Sequence, residues 1–195
     1  IGSEGMLFTA MRANCTVCSP SRAALLTGRY ADRVGVPGVI RTKPEDSWGY
    51  LKPGVPTLAD ELKKTGYHTG IIGKWHLGLT QPHWPEQQGF EVAFHCHPDP
   101  GPPGEYFSPY SVVPEGKPNA KQRVGTITDG PAGEYIVDRQ AAEAVKFIQA
   151  GKDKPFFLYL PLNGPYGLGP AQEKDHERAP HWDDYAGAAM TSFPR

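Results

Sequence analysis

Pro56-Thr57-Leu58-Ala59-Asp60-Glu61-Leu62-Lys63-Lys64-Thr65-Gly66-Tyr67-His68-Thr69-Gly70-Ile71-Ile72-Gly73-Lys74-Trp75-His76 contains one whole structural unit. Thr57 and Asp60 have the spacing of a capping box, in which each side chain accepts the other residue's backbone N–H at a helix start. Leu58 and Leu62 then fall on one helical face, and Gly66 supplies the left-handed stop. Tyr67 to Ile72 follows as an apolar strand. Its far end delivers Gly73-Lys74-Trp75-His76 to the carboxyl edge, where open α/β sheets place their ligands.

The same order recurs downstream. From Gly133 to Ala150 the residues Val137, Ala141, Val145 and Ile148 repeat at helical spacing, and Lys154-Pro155 separates them from a buried-strand pattern at Phe156 to Leu160. Two helix-to-strand units predict an α/β fold with a mainly parallel sheet sandwiched by helices. Upstream, Leu7 to Ala13 reads as a short strand. Ser19 reads as an N-cap with Pro20 at the first helical position, and Gly28 as the stop, which sets Cys18 at a helix N-terminus. Phe90 to Phe94 is a further short strand. His97 to Thr126, rich in Pro, Gly and polar residues, predicts a long surface loop shaping the rim of a pocket. With 23 Gly and 21 Pro, the chain needs many shaped loops around a modest set of regular elements. It has no internal repeat.

Lys and Arg number 20 against 21 Asp and Glu, a net charge of -1, so nothing draws the chain as a whole to nucleic acid or to an anionic membrane. Any anion site must be local. No apolar run approaches the roughly 20 residues of a membrane span, and Ile1 to Ala10 lacks the pattern of a signal peptide. The opening on Ile1 and the ending at Phe193-Pro194-Arg195, just after Asp183-Asp184-Tyr185-Ala186, read as those of an internal fragment. The cysteines Cys15, Cys18 and Cys96 are too few for a disulfide scaffold and leave the compartment open.

The densest chemical signal is Cys18-Ser19-Pro20-Ser21-Arg22-Ala23-Ala24-Leu25-Leu26-Thr27-Gly28-Arg29. A helix N-terminus behind Cys18 offers free N–H groups and a positive dipole end to an anion. Arg22, one turn along, adds a planar fork suited to an oxyanion. A plainer reading is a capped helix with a core cysteine. Another takes Cys15-Thr16-Val17-Cys18 as a redox pair or half of a zinc site, with His95-Cys96-His97 as the other half. Neither accounts for Pro20-Ser21-Arg22 together with Thr27-Gly28-Arg29.

The segment resembles the signature of the type I sulfatases, C-x-P-S-R followed by T-G-R, with every position filled. The resemblance implies that a maturation enzyme oxidises Cys18 to formylglycine. The hydrated aldehyde is a geminal diol: one hydroxyl attacks sulfur and takes the sulfate, and the other then expels it by carbon–oxygen cleavage. Gly73-Lys74-Trp75-His76-Leu77-Gly78 resembles the family's G-K-W-H-L-G segment, which makes Lys74 a holder of sulfate oxygens and His76 the hydrogen-bond partner of residue 18. Standing alone, those two residues would read as a solvated lysine and a structural histidine.

After the last strand many sulfatases carry a Pro-His step whose histidine contacts sulfate. Here Tyr166 occupies that place, a hydrogen-bond donor without positive charge, and His176 or His181 could substitute. The family also binds calcium, with magnesium possible, through an Asp-Asp pair on its first strand and an Asp-Asn or Asp-His pair further on. Neither pair can be placed: the first would precede Ile1, the second would follow Arg195, and Asp183-Asp184 lies in the wrong part of the order. Only an oxygen of modified Cys18 remains as a ligand, too little for a hard cation.

The resemblance thus implies that residues 1–195 are a partial catalytic domain of the alkaline-phosphatase-like superfamily, lacking the first strand and the C-terminal part. The complete protein is expected to hydrolyse sulfate esters on a small molecule or glycan and to be exported to the periplasm, the extracellular space or the lysosome. The isolated fragment is expected to be inactive and marginally folded. Three rivals stand beside this reading: a phosphoester or phosphonate hydrolase on the same scaffold, a Cys/His metal-binding module, and a catalytically inactive relative.

Overall fold

The computed structural model describes residues 3–41, 44–96, 107–108 and 130–164. Helix α1 spans Cys18–Thr27 and ends on Gly28, whose φ of 64° lets its N–H reach back to the Ala24 carbonyl at 2.9 Å. Its start corrects the expected cap. Val17 is the N-cap, Cys18 is the first helical residue, and Ser19 lies inside the helix. The Ser19 hydroxyl is free of capping duty because it accepts the N–H of Ile40 at 3.1 Å, a partner distant in sequence.

Helix α2 spans Leu58–Lys64 and carries both halves of the Thr57–Asp60 capping box. Ala59, fully buried, is its core residue, whereas Leu58 stays 45% exposed. The chain then enters β1 (His68–Ile72), and β2 (Val92–Phe94) and β3 (Phe156–Tyr159) pair with it in parallel on either side, in the order β2-β1-β3. Helix α3 spans Ile136–Gly151.

The period-2 alternation of the strands divides the core into two layers. Ile71, Phe157 and Tyr159 pack with Ala23, Leu26 and Ala59 of α1 and α2. Ile72, Phe156 and Leu158 pack with Ala144 and Phe147 of α3. Helices therefore cover both faces, as the two helix-to-strand units require. The buried stripe of α3 is Ile136, Gln140, Ala144, Phe147 and Gly151. This differs from the expected stripe, since Val145 is 52% and Ile148 42% exposed. Gln140 belongs to the inner face because its amide is satisfied there: it donates to the Asn163 side chain and accepts the Asn163 N–H at 3.2 Å.

A second correction concerns Leu7 to Ala13, which forms no strand. Met6, Leu7, Phe8 and Met11 are 68–77% exposed, and no described strand pairs with this segment to complete a ladder. The loop expected from His97 to Thr126 lies outside the described residues apart from Phe107 and Ser108, where Phe107 bridges to Tyr135. Among the described residues, no helix is long and apolar enough to cross a membrane.

Candidate active site

The carboxyl end of β1 is extended by two further backbone bonds, Gly73 N–H to Phe94 O at 2.9 Å and Lys74 N–H to Pro161 O at 2.8 Å. Gly73 has φ 108°, and a Cβ there would collide with the Pro161 carbonyl, so only glycine lets the chain leave the sheet at this point. Lys74, Trp75 and His76 follow, all buried: Lys74 is 7% exposed and His76 5%.

Arg22 reaches this edge from α1. Its Nη1 donates to the Lys74 carbonyl at 2.7 Å and to the Tyr159 hydroxyl at 3.3 Å. Its fork turns to the strand ends because they offer acceptors that the helix start, with its unpaired N–H groups, lacks. The two motifs, far apart in sequence, thus meet through a charge-assisted bond. Burial raises the Tyr159 hydroxyl above its usual range, opposed by the Arg22 charge, which keeps the phenol neutral.

His76 sits in the left-handed region at φ 62°, a conformation that costs a non-glycine residue roughly 1–2 kcal/mol. It is held by a 2.7 Å bond from Nε2 to the Ile40 carbonyl and by the Leu51 N–H on the Leu77 carbonyl at 3.0 Å. Nδ1 is buried and has no partner among the described residues. Burial first and then the charge on Lys74 push the imidazole down to about 3 against the opposing Ile40 bond, with lesser contributions from the charges on Arg22 and Arg41. Three cations therefore act on one buried ring in a chain with net charge -1. That is the local positive potential an anion site demands.

Cys18 is partly buried at the first position of α1, and all three cysteines are free thiols. The Ser21 hydroxyl donates to the Cys15 carbonyl at 2.7 Å and so fixes the loop entering the helix. Cys96 is buried, its thiol pushed up by desolvation and donating to the Phe94 carbonyl at 3.3 Å. Such a thiol is a poor zinc ligand, which must be a thiolate. Among the described residues no three His, Cys, Asp or Glu side chains gather to hold a metal ion. The donors among the described residues fall short of calcium, which takes six or more oxygens. Tyr166, His97, His176, His181 and the Asp183-Asp184 pair lie outside the described residues.

Sequence reading missed three participants: Arg41, Ile40 and Tyr159. Tyr159 belongs to an apolar run read as plain strand. Ile40 acts through its backbone, which no residue type signals, and Arg41 lies in a loop whose course is set by tertiary bonds.

The fold places this chain among α/β proteins built on a parallel sheet with helices packed on both faces. It belongs to the sulfatase family, whose profile matches residues 2–192. It is 36% identical to human arylsulfatase G over 185 residues, covering 83% of this chain and 34% of that protein. Mouse N-acetylgalactosamine-6-sulfatase is 32% identical over 188 residues, with 85% and 34% covered. Among solved structures, Ps i-CgsB in complex with k-i-k-neocarrahexaose superposes with a TM-score of 0.62 at 28% identity, covering 87% of this chain and 39% of that one. The sulfatase yidJ from Bacteroides fragilis shares the fold with a TM-score of 0.58 at 22% identity. The chain spans about a third of the length of the curated relatives it matches.

Proposed function

We propose that this chain supplies the nucleophile-bearing part of a sulfate-ester hydrolase in which Cys18 is converted to formylglycine. The observation that carries the reading is the convergence of Arg22 and Lys74 on His76 beside the first turn of α1, which is also the place of Cys18. A hydrated aldehyde there would supply the attacking hydroxyl.

The residues of the chain account for the rest. Lys74 and the dipole of α1 stabilise negative charge on the transferred group, in a setting where burial strengthens each interaction. Arg22 holds the end of β1 against α1, so the cation and the nucleophile keep their separation. His76, neutral through the working range, accepts a proton at Nδ1. A sulfated small molecule or glycan is the substrate class, supported by the named activities of the relatives. A formylglycine-generating enzyme is the implied maturation partner, and Tyr166 is assigned to the sulfate-contacting position after β3. Calcium, or magnesium in its place, has no assigned ligands among the described residues other than an oxygen on modified residue 18.

The deciding experiment is a peptide mass of the tryptic stretch Ala13 to Arg22 from protein made in a host that matures other sulfatases. An aldehyde at residue 18 is expected, together with, for the complete protein that contains this chain, release of sulfate from an aryl sulfate in preference to phosphate from its phosphate counterpart. An unmodified thiol or a Cys15–Cys18 disulfide would overturn the reading. Preference for the phosphate ester would move it to phosphoester hydrolysis.

A further inference from the structure

Ser19, adjacent to the proposed nucleophile, is fully buried, and its hydroxyl accepts the Ile40 N–H at 3.1 Å. The Ile40 carbonyl in turn lies 2.7 Å from His76 Nε2. A carbonyl oxygen can only accept, so Nε2 carries the proton, and a neutral imidazole then has a bare lone pair at Nδ1. The peptide group that bears this carbonyl is anchored on its other side as well, by the Arg41 N–H on the Ser47 hydroxyl at 2.9 Å. A buried lone pair without a donor carries an uncompensated desolvation cost, and Nδ1 is in that state among the described residues. Together with the left-handed backbone of His76, this arrangement holds strain at a single ring.

We propose that Ser19 is a positioning residue: through the backbone of Ile40 it fixes His76 as the Nε2–H tautomer and reserves Nδ1 as the acceptor for the hydroxyl on residue 18. The assignment of that hydroxyl rests on the sulfatase reading. The tautomer and its dependence on Ser19 do not. Proton transfer balances simply: the hydroxyl O–H bond breaks, its proton joins Nδ1, and the oxygen keeps the electron pair for attack. Mechanically, Ser19 and the nucleophile are neighbours on α1, so the same helix turn that carries residue 18 also sets the ring that serves it.

The test is long-range proton–nitrogen NMR on the intact protein labelled with ¹⁵N-histidine, with His76→Gln identifying the signal. Wild-type protein is expected to show a protonated Nε2 and an unprotonated Nδ1. Ser19→Ala should collapse that pair toward averaged tautomers and lower kcat about ten- to a hundredfold with KM little changed, as expected for a slightly misplaced group. Ser19→Thr, which keeps the hydroxyl, should restore both. Rates are expressed per aldehyde at residue 18, measured by peptide mass, so altered maturation does not mimic the effect. An Nδ1–H tautomer in the wild type overturns the proposal without need of any variant, as does a Ser19→Ala protein that retains tautomer and kcat. Absence of sulfate-ester hydrolysis in the complete wild-type protein carrying the aldehyde would instead defeat the sulfatase reading and leave the tautomer result standing.

Discussion

An imidazole meant to accept a proton must not already hold two, and His76 is kept neutral by burial and by Lys74, Arg22 and Arg41. The cost appears in stability. With an ordinary value near 6.5 when unfolded and about 3 when folded, His76 takes up its second proton first in the unfolded chain. Above pH 6.5 the ring is neutral in both states and contributes no pH dependence. As pH falls from 6.5 toward 3, the unfolded state binds more protons, and folding stability is lost by up to about 1.4 kcal/mol per pH unit. Replacing His76 with Gln, which can still donate to Ile40, should flatten the decline between pH 6 and 4 by that amount in urea unfolding of the intact protein. An unchanged slope would place the titration elsewhere. At this scale residue type and spacing single out Arg22, Lys74 and His76, which the fold brings to one edge of the sheet. The sequence was silent on Ile40, whose contribution is a main-chain carbonyl, and on the bond from Arg22 to Tyr159, which only sheet pairing brings about.

The elements differ in how openly the sequence declares them, and the difference follows from where their determinants lie. The start of α2 and the end of α1 are local events, a capping box and a left-handed glycine, and both stand as read. The start of α1 was misplaced because Ser19, an ordinary cap by type, spends its hydroxyl on Ile40. On α3 the apolar periodicity pointed to Val137, Ala141, Val145 and Ile148, yet the helix turns Gln140, Ala144 and Phe147 inward. A polar residue marked the inner face, and its partner Asn163 lies beyond β3, out of reach of any periodicity argument. The two stripes make opposite forecasts. Phe147, 7% exposed and stacked on His68 at 4.8 Å, should cost about 3–5 kcal/mol when cut to Ala. Val145→Ala should stay within about 0.5 kcal/mol. Comparable losses at both sites in chemical denaturation would restore the stripe read from periodicity.

For the molecule as a whole, parallel pairing in the order β2-β1-β3 with helices on both faces follows from the repeated helix-to-strand order, so the architecture was legible where single boundaries were not. What does not follow from that architecture is the state of residues 6–11. The segment has the composition of a strand, and strands become stable by filling a ladder and burying a face. Among the described residues it does neither: Met6 and Leu7 are each 77% exposed, Phe8 68% and Met11 77%. Large apolar side chains that stand together in water are a contact surface for whatever can cover them, and in a solution of the 195-residue chain the other copies are at hand. The chain by itself should therefore associate as its concentration rises, in a manner that light scattering and sedimentation report. Leu7→Glu with Phe8→Glu should hold it monomeric, because charge at those positions opposes both apolar contact and edge pairing. The α1–β1 core, which these side chains do not enter, should keep its far-ultraviolet circular dichroism and its unfolding midpoint in the same variant. Association of the variant to the extent of the parent would show that another surface drives it, and the edges of β2 and β3 with which no described strand pairs would be the next to test.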